Sequence, residues 1–227
     1  MCGRFNLHDD PFLRQLLAEL GVGPLSGERV NIAPTEPVPV VFEEEGERRL
    51  HAMRWWLVPS WAPAIATQYA MFNAKSETLS ASKAFRGPAR HRRCIVPASS
   101  FIEWTLGGTR KLPWLIRPRE GAIAFAGIWD LWERDGAHLE SCTIITTAAV
   151  GGIERLHARM PLMLRSGEFD AWLDCREGTA PAAALLAPRL PTAFEVAPLS
   201  GDVNNARHKQ ASLLSPIGPW QPLDAQE

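Results

Sequence analysis

The chain has 227 residues, of which 46% are hydrophobic and 22% charged, and its formal net charge at pH 7 is -1. That length buries a sizeable core as one domain or two small ones, and the composition excludes a disordered chain. A balance so close to neutral excludes a global positive field, so any nucleic-acid partner has to be held by a local patch.

The N-terminus reads MCGRFNLHDDP, with a cysteine directly behind the initiator methionine. Removal of Met1, by an aminopeptidase or by the protein itself, exposes a thiol and a free α-amine on one residue. An α-amine titrates near ~8 and a lysine near ~10.4, so the terminus offers roughly a few hundred-fold more free base at pH 7. On these two letters alone, a stray cysteine at a frayed end is the ordinary explanation. No basic segment and apolar run mark a secretory signal, and no stretch is long enough to span a membrane. A cytoplasmic protein is expected, in a reducing compartment where Cys2 stays a thiol.

Asp10 and Pro11, followed by FLRQLLAEL and Gly21, predict a capped helix with Phe12, Leu13, Leu16, Leu17 and Leu20 as its buried stripe. From Val38 onward the pattern turns to short extended runs: VPVVF, LHAMRWWLV, RCIVPA, SFIEW, PWLIR, AIAFAGIWDLW and SCTIITT. These are rich in branched and aromatic residues and bounded by Pro, Gly and charge clusters. EEEGE at Glu43 to Glu47 reads as a hairpin turn. Further helices are predicted over Ser76 to Arg86, near Ser166, and near Pro181. Strands dominate and helices do not alternate with them. The expected fold is therefore α+β: a single β-rich domain over 1–227 with a strongly bent, barrel-like, mainly antiparallel sheet and a few flanking helices. The Pro-rich tail after about 215 is expected to pack loosely.

Cys2, Cys94, Cys142 and Cys175 form no pair at zinc-ligand spacing, so no structural metal is expected, and Cys94 and Cys142 read as buried strand thiols. FNAKSETL puts Asn73 and Lys75 just before a helix start, where either Asn73 or Ser76 caps the free amides or the amides and the Lys75 cation make an anion site suited to phosphate. In SSFIEWT, alternation sets Phe101 and Glu103 on one face and Ile102 and Trp104 on the other. Glu103 then faces either water or an aromatic pocket that raises its pKa. His157, in RLHARMPLML, is either a packing residue or a carboxylate's partner in proton relay. FRGPARHRRC supplies Arg86, Arg90, His91, Arg92 and Arg93. Beside RWW and VPSWAP these cations suit a single strand, which needs phosphate neutralisation and stacking platforms.

Taken in order, MCGRF, NIAPT, RWWLVPSWA, FNAKSETL, RRCIVPASSFIEW, FAGIWD, CTIITTAA, LHARMPLML and a late VN resemble the SOS-response-associated peptidase (SRAP) family. The resemblance runs through nearly the whole chain. It implies a compact β-rich domain that recognises and shields abasic sites in single-stranded DNA. Cys2 is then the reactive residue after self-removal of Met1, with Asn73, Glu103 and His157 at the polar active-site positions. It further implies DNA contacts at Arg4, Asn31, Pro34, Trp55, Trp56, Lys75, Arg90, Arg93 and Arg159. Trp56 stands where the family more often has glycine, and Lys75 where arginine is common, which loses the planar fork.

The chemistry implied is a thiazolidine between Cys2 and the abasic aldehyde, with an abasic-site lyase as side activity. It needs neither metal nor organic cofactor. The protein is expected to act as a monomer, in the cytoplasm and at the nucleoid when DNA-bound. Two alternatives stand beside it: an amidohydrolase using Cys2 as an N-terminal nucleophile, and a non-covalent single-strand binding module in which Cys2 is incidental.

Overall fold

The computed structural model describes residues 2–66, 68–176 and 178–223. In chain order the strands are β1 (Phe5–Leu7), β2 (Arg29–Ile32), β3 (Pro37–Glu44), β4 (Glu47–Trp55), β5 (Asn73–Lys75), β6 (Arg93–Ala98) and β7 (Ser100–Gly107). They continue as β8 (Arg110–Pro118), β9 (Ile123–Arg134), β10 (Ala137–Ala148), β11 (Arg159–Pro161), β12 (Met163–Leu164), β13 (Phe194–Pro198) and β14 (Gln221–Leu223). The helices are α1 (Pro11–Glu19), α2 (Arg86–His91), α3 (Phe169–Leu173) and α4 (Ala180–Ala183).

Five strands close on themselves in the order β4-β3-β6-β9-β10, with β10 returning to β4. That last pairing is parallel, Ser141 opposite Arg54, while the other four are antiparallel. A second sheet, antiparallel throughout, runs β14-β13-β8-β7-β1-β2. The expected bent, mainly antiparallel architecture is thus what the chain forms.

Alternation explains how the barrel fills. Val38, Val40 and Phe42 of β3 face one core with Phe125 of β9 and Cys142 of β10, and the second sheet adds Phe5, Phe101 and Phe194 to it. Their neighbours Val41, Ile95, Ala126 and Ile128 face outward, where Leu16 of α1, Leu20 at its end and Trp172 of α3 cover them. Cys94 and Cys142 are fully buried, as expected of strand thiols. Gly127 is required by close approach, because a Cβ there would lie 3.0 Å from both the Cys94 sulfur and the Thr143 carbonyl.

Local signals account for several elements. Asp10 caps α1 by accepting the Leu13 amide at 2.8 Å, and Gly21 leaves the helix at φ +70°. Glu45 and Gly46 both take positive φ between β3 and β4, as a two-residue hairpin turn demands. The helix predicted over Ser76 to Arg86 does not form. Only a 3-10 turn, Ser76–Thr78, is present before α2 begins at Arg86. The segment is rich in serine, which disfavours a helix interior, and no side chain caps the first turn. The tail also departs from expectation: β14 pairs with β13, Leu223 enters the core, and Arg117 lies 3.9 Å over the Trp220 ring. Residues 224–227 lie outside the described part.

Candidate active site

The N-terminal segment is tied down from two sides. β1 pairs with β7, Phe5 opposite Phe101, and the Ile102 amide donates to the Arg4 carbonyl at 3.0 Å. Continuing that register sets Gly3 across from Glu103. The Arg4 guanidinium donates to Asn31 Oδ1 at 2.7 Å and to the carbonyls of Val203 and Asn204 at 3.0 and 3.4 Å. It also lies 5.8 Å from the Trp104 ring centroid. The late VN pair therefore serves as the acceptor for the opening motif's arginine.

Cys2 is fully buried. Asn73, at the start of β5, donates Nδ2 to the Cys2 carbonyl at 2.7 Å. The other amide atom, Asn73 Oδ1, is buried with no hydrogen-bond partner among the described residues, an acceptor held ready inside the site. Glu103 is 1% exposed and shares the Phe101 face, so the aromatic-pocket alternative is the one the fold adopts. Burial pushes the Glu103 carboxyl above the ordinary carboxylate range, and the nearby His157 opposes that rise. Burial also drives the Cys2 thiol well upward, and the Glu103 charge adds to the effect.

His157 sits in the turn between the 3-10 segment Ile153–Arg155 and β11. Its Nδ1 lies 2.9 Å from the Arg159 backbone amide, a contact that favours the tautomer with the ring proton on Nε2. The Arg159 carbonyl lies 3.1 Å from the same Nδ1.

Three of the expected DNA contacts, Asn31, Trp55 and Arg93, are buried in the fold, and a fourth, Arg159, is half-buried on internal partners. Asn31 is a fold hub: it is fully buried, adopts φ 54°, and donates Nδ2 to the carbonyls of Val203, Asn205 and His208 at 3.2, 3.1 and 3.0 Å. Trp55 is fully buried, edge-on to Phe5 at 5.1 Å, and its Nε1 donates to the Phe72 carbonyl at 2.8 Å. It thereby fixes the residue before Asn73. Arg93 is 2% exposed, and its guanidinium ties together the carbonyls of Ala89, Trp172, Asp174 and Gly178. Arg159 is committed internally, to Glu77 and to the Thr146 carbonyl.

The remaining positions face outward to differing degrees. Lys75 and Arg90 are exposed, and Pro34 is half-buried. Trp56 is half-buried and tilted against Phe72, 5.4 Å between centroids. Trp61 is 53% exposed, with the Lys83 ammonium 4.4 Å from its ring centroid. Sequence reasoning passed over Glu77. The signal was there: an acid four residues after Asn73, and an arginine two residues after His157 to receive it. Among the described residues, no helix is long and apolar enough to cross a membrane.

Fold and site define a β-barrel protein that gathers polar side chains around its own second residue. The chain belongs to the family described as SOS response associated peptidase (SRAP), matched over residues 1–206. It is 34% identical over 224 residues to the abasic site processing protein YoaM of Bacillus subtilis, covering 94% of this chain and 97% of that one. It is 33% identical over 201 residues to the abasic site processing protein HMCES of Gallus gallus, covering 77% of this chain and 59% of that one. Among solved structures, a protein from Bacteroides thetaiotaomicron superposes with a TM-score of 0.75 at 24% identity, over 88% of this chain and 93% of that one. A phage-related protein from Bordetella bronchiseptica gives 0.71 at 26% identity, over 87% and 94%.

Proposed function

We propose that this protein senses abasic sites in single-stranded DNA and shields them by a covalent bond to Cys2, formed after the protein removes its own Met1. The observation that carries the proposal is the 2.7 Å hydrogen bond from Asn73 to the Cys2 carbonyl. It holds the main chain of the one residue whose amine has to react. The relatives' names, abasic site processing proteins, supply the substrate class.

Removal of Met1 hydrolyses one peptide bond, consumes one water and frees the Cys2 amine. An abasic sugar opens to an aldehyde. The amine attacks that carbon, and loss of water from the resulting carbinolamine leaves an imine. The thiol sulfur then adds to the imine carbon while its proton passes to the nitrogen. Nitrogen, Cα, Cβ, sulfur and the former aldehyde carbon close a five-membered thiazolidine. One water leaves in the capture, and nothing is oxidised or reduced.

The chemistry sets the order: the amine forms the imine first, and the thiol then closes the ring on its carbon. Glu103, its carboxyl raised by burial, is placed to carry protons in these steps, and the His157 ring is the second candidate carrier. Asn73 Oδ1 is an acceptor for the sugar or the reacting nitrogen. An amidohydrolase would open with attack by the thiol itself and turn over an amide without need of DNA. Intact mass tests the proposal: the purified protein should lack one methionine and gain the mass of an abasic oligonucleotide minus one water. Retained Met1 alongside full adduct formation overturns it.

The DNA-holding surface is assigned to exposed groups, Lys75, Arg90, and Trp61 with Lys83, because stacking and phosphate neutralisation both need solvent-facing side chains. Lys75→Gln or Arg90→Gln should lower the slope of log K against log salt by about 1. Arg93→Ala should leave that slope unchanged yet destabilise the fold by about 3 kcal/mol, since it strips a buried cation from four carbonyls. Salt titration and thermal melts separate the two behaviours, and a flattened slope for Arg93→Ala would restore it as a DNA contact.

A further inference from the structure

We propose that Glu77 is a positioning residue of this site, whose two-pronged ion pair with Arg159 ties the strand carrying Asn73 to the turn carrying His157. The consequence for chemistry rests on the function proposed above; the consequence for His157 does not.

The connection is short at both ends. β5 begins at Asn73 and runs directly into the 3-10 turn Ser76–Thr78, which holds Glu77. Arg159 opens β11, two residues after His157. Arg159 Nη1 donates to Glu77 Oε1 at 2.6 Å and Nη2 to Oε2 at 2.9 Å. Nη2 also reaches the Thr146 carbonyl at 2.6 Å. Thr146 belongs to β10, where it pairs with Lys75 of β5 on one side and Pro161 of β11 on the other. One guanidinium thus spans both strands that flank the centre of the site.

Losing Glu77 would leave Arg159 badly satisfied. Among the described residues its Nε is already buried without a partner, and the Thr146 carbonyl and hydroxyl would be its remaining anchors. The Glu77 carboxyl is lowered to about 2, chiefly by the hydrogen bond from Arg159, so the pair stays ionised through the neutral range. Exposed pairs of this kind contribute little to stability, roughly 0–1 kcal/mol, and the Glu77 side chain is 52% exposed. The effect of the clamp is therefore geometric. His157 Nδ1 has both an amide donor at 2.9 Å and a carbonyl acceptor at 3.1 Å on Arg159, and a small rotation of that residue exchanges one for the other. The first contact keeps the proton on Nε2; the second moves it to Nδ1 and changes what the ring offers the site.

The test uses the full chain with Glu77→Gln and Glu77→Asp. Nitrogen-15 spectra of the His157 ring, assigned against His157→Gln, should show the Nε2–H tautomer in the parent and a mixture in Glu77→Gln. Single-turnover capture of an abasic single-stranded oligonucleotide should slow about tenfold in Glu77→Gln, the scale of a misplaced catalytic group. Binding of the undamaged strand should change by less than about twofold, and Glu77→Asp should recover part of the rate. Parental tautomer and parental rate in Glu77→Gln would overturn the assignment, as would a rate loss that only follows a loss of folded protein. If the parent forms no adduct at all, the proposed function fails, and the tautomer spectrum still decides the clamp.

Discussion

Cys2→Ala should yield no heat-stable complex with abasic single-stranded DNA, although the protein should remain folded and still bind the strand. Alanine keeps the free amine and loses the sulfur, so capture stops at an imine. That imine is trapped by borohydride and lost on heating without it. Cys2→Ser behaves in the same way, because a hydroxyl closes a far less stable ring. Placing an uncleavable residue ahead of Cys2 has the converse logic: the thiol is present, the amine is an amide, and no adduct forms by either route. The side chain is buried, so a modest stability loss of about 1 kcal/mol accompanies Cys2→Ala, and a melting curve run beside the assay accounts for it. A heat-stable adduct from Cys2→Ala in parental yield would end the ring-closure mechanism. Loss of turnover on an amide substrate, with DNA irrelevant to it, would instead favour the amidohydrolase.

The same buried N-terminus marks how far the sequence could be read. Alternation placed Phe101 and Glu103 on one face and Ile102 and Trp104 on the other. The fold keeps that division: Phe101 joins the barrel core, while Ile102 and Trp104 pack beneath Val203 and Leu213 on the far side of the second sheet. What alternation could not show is closure. It depends on a parallel pairing of β10 with β4, two strands far apart in the chain, and no local pattern encodes a partner at that distance. Parallel pairing of β10 with β5 is what carries Asn73 to the N-terminus, so the site itself was hidden by the same limit.

Motifs mislead in a characteristic way. Asn31, Trp55 and Arg93 lie in segments that read as surface chemistry, with a polar turn, a tryptophan pair and a run of arginines. A run of letters does not say which member turns inward. In RHRRC, Arg90 and His91 are exposed on α2, Arg92 pairs with Asp130 and lies 5.3 Å from the Trp129 ring, and Arg93 begins β6 and is buried. The change from helix to strand falls inside the run, and it decides which cations remain for DNA. Glu77 was missed for the opposite reason. The segment around it was predicted as helix, whereas the chain forms a 3-10 turn there and aims Glu77 at Arg159.

Glu103→Gln should slow covalent capture about 100-fold, the usual scale for a lost general acid–base group, and make the folded protein more stable at neutral pH. Both effects have one cause. Burial raises the Glu103 carboxyl above the ordinary carboxylate range, so the folded state holds a proton that the unfolded chain, titrating near about 4.3, releases. Below that pH both states are protonated and Glu103 imposes no pH-linked cost. As pH rises from there to the folded-state pKa, the unfolded state ionises first and the fold loses stability. Above the folded-state pKa both are ionised and the cost is constant. Glutamine has the same shape and no proton to release, so it removes this loss while leaving the packing against Phe101 and the N-terminal segment intact. Melting temperatures of parent and Glu103→Gln should therefore converge in acid and separate as pH rises, with the variant higher. The rate profile should change in parallel: the parent's capture rate varies with the ionisation of Glu103, and the variant lacks that limb. A variant that captures abasic DNA at the parental rate removes Glu103 from the proton-transfer steps. A variant that melts lower at neutral pH shows the buried carboxylate to be stabilised by its surroundings, and the argument from burial then fails at its first step.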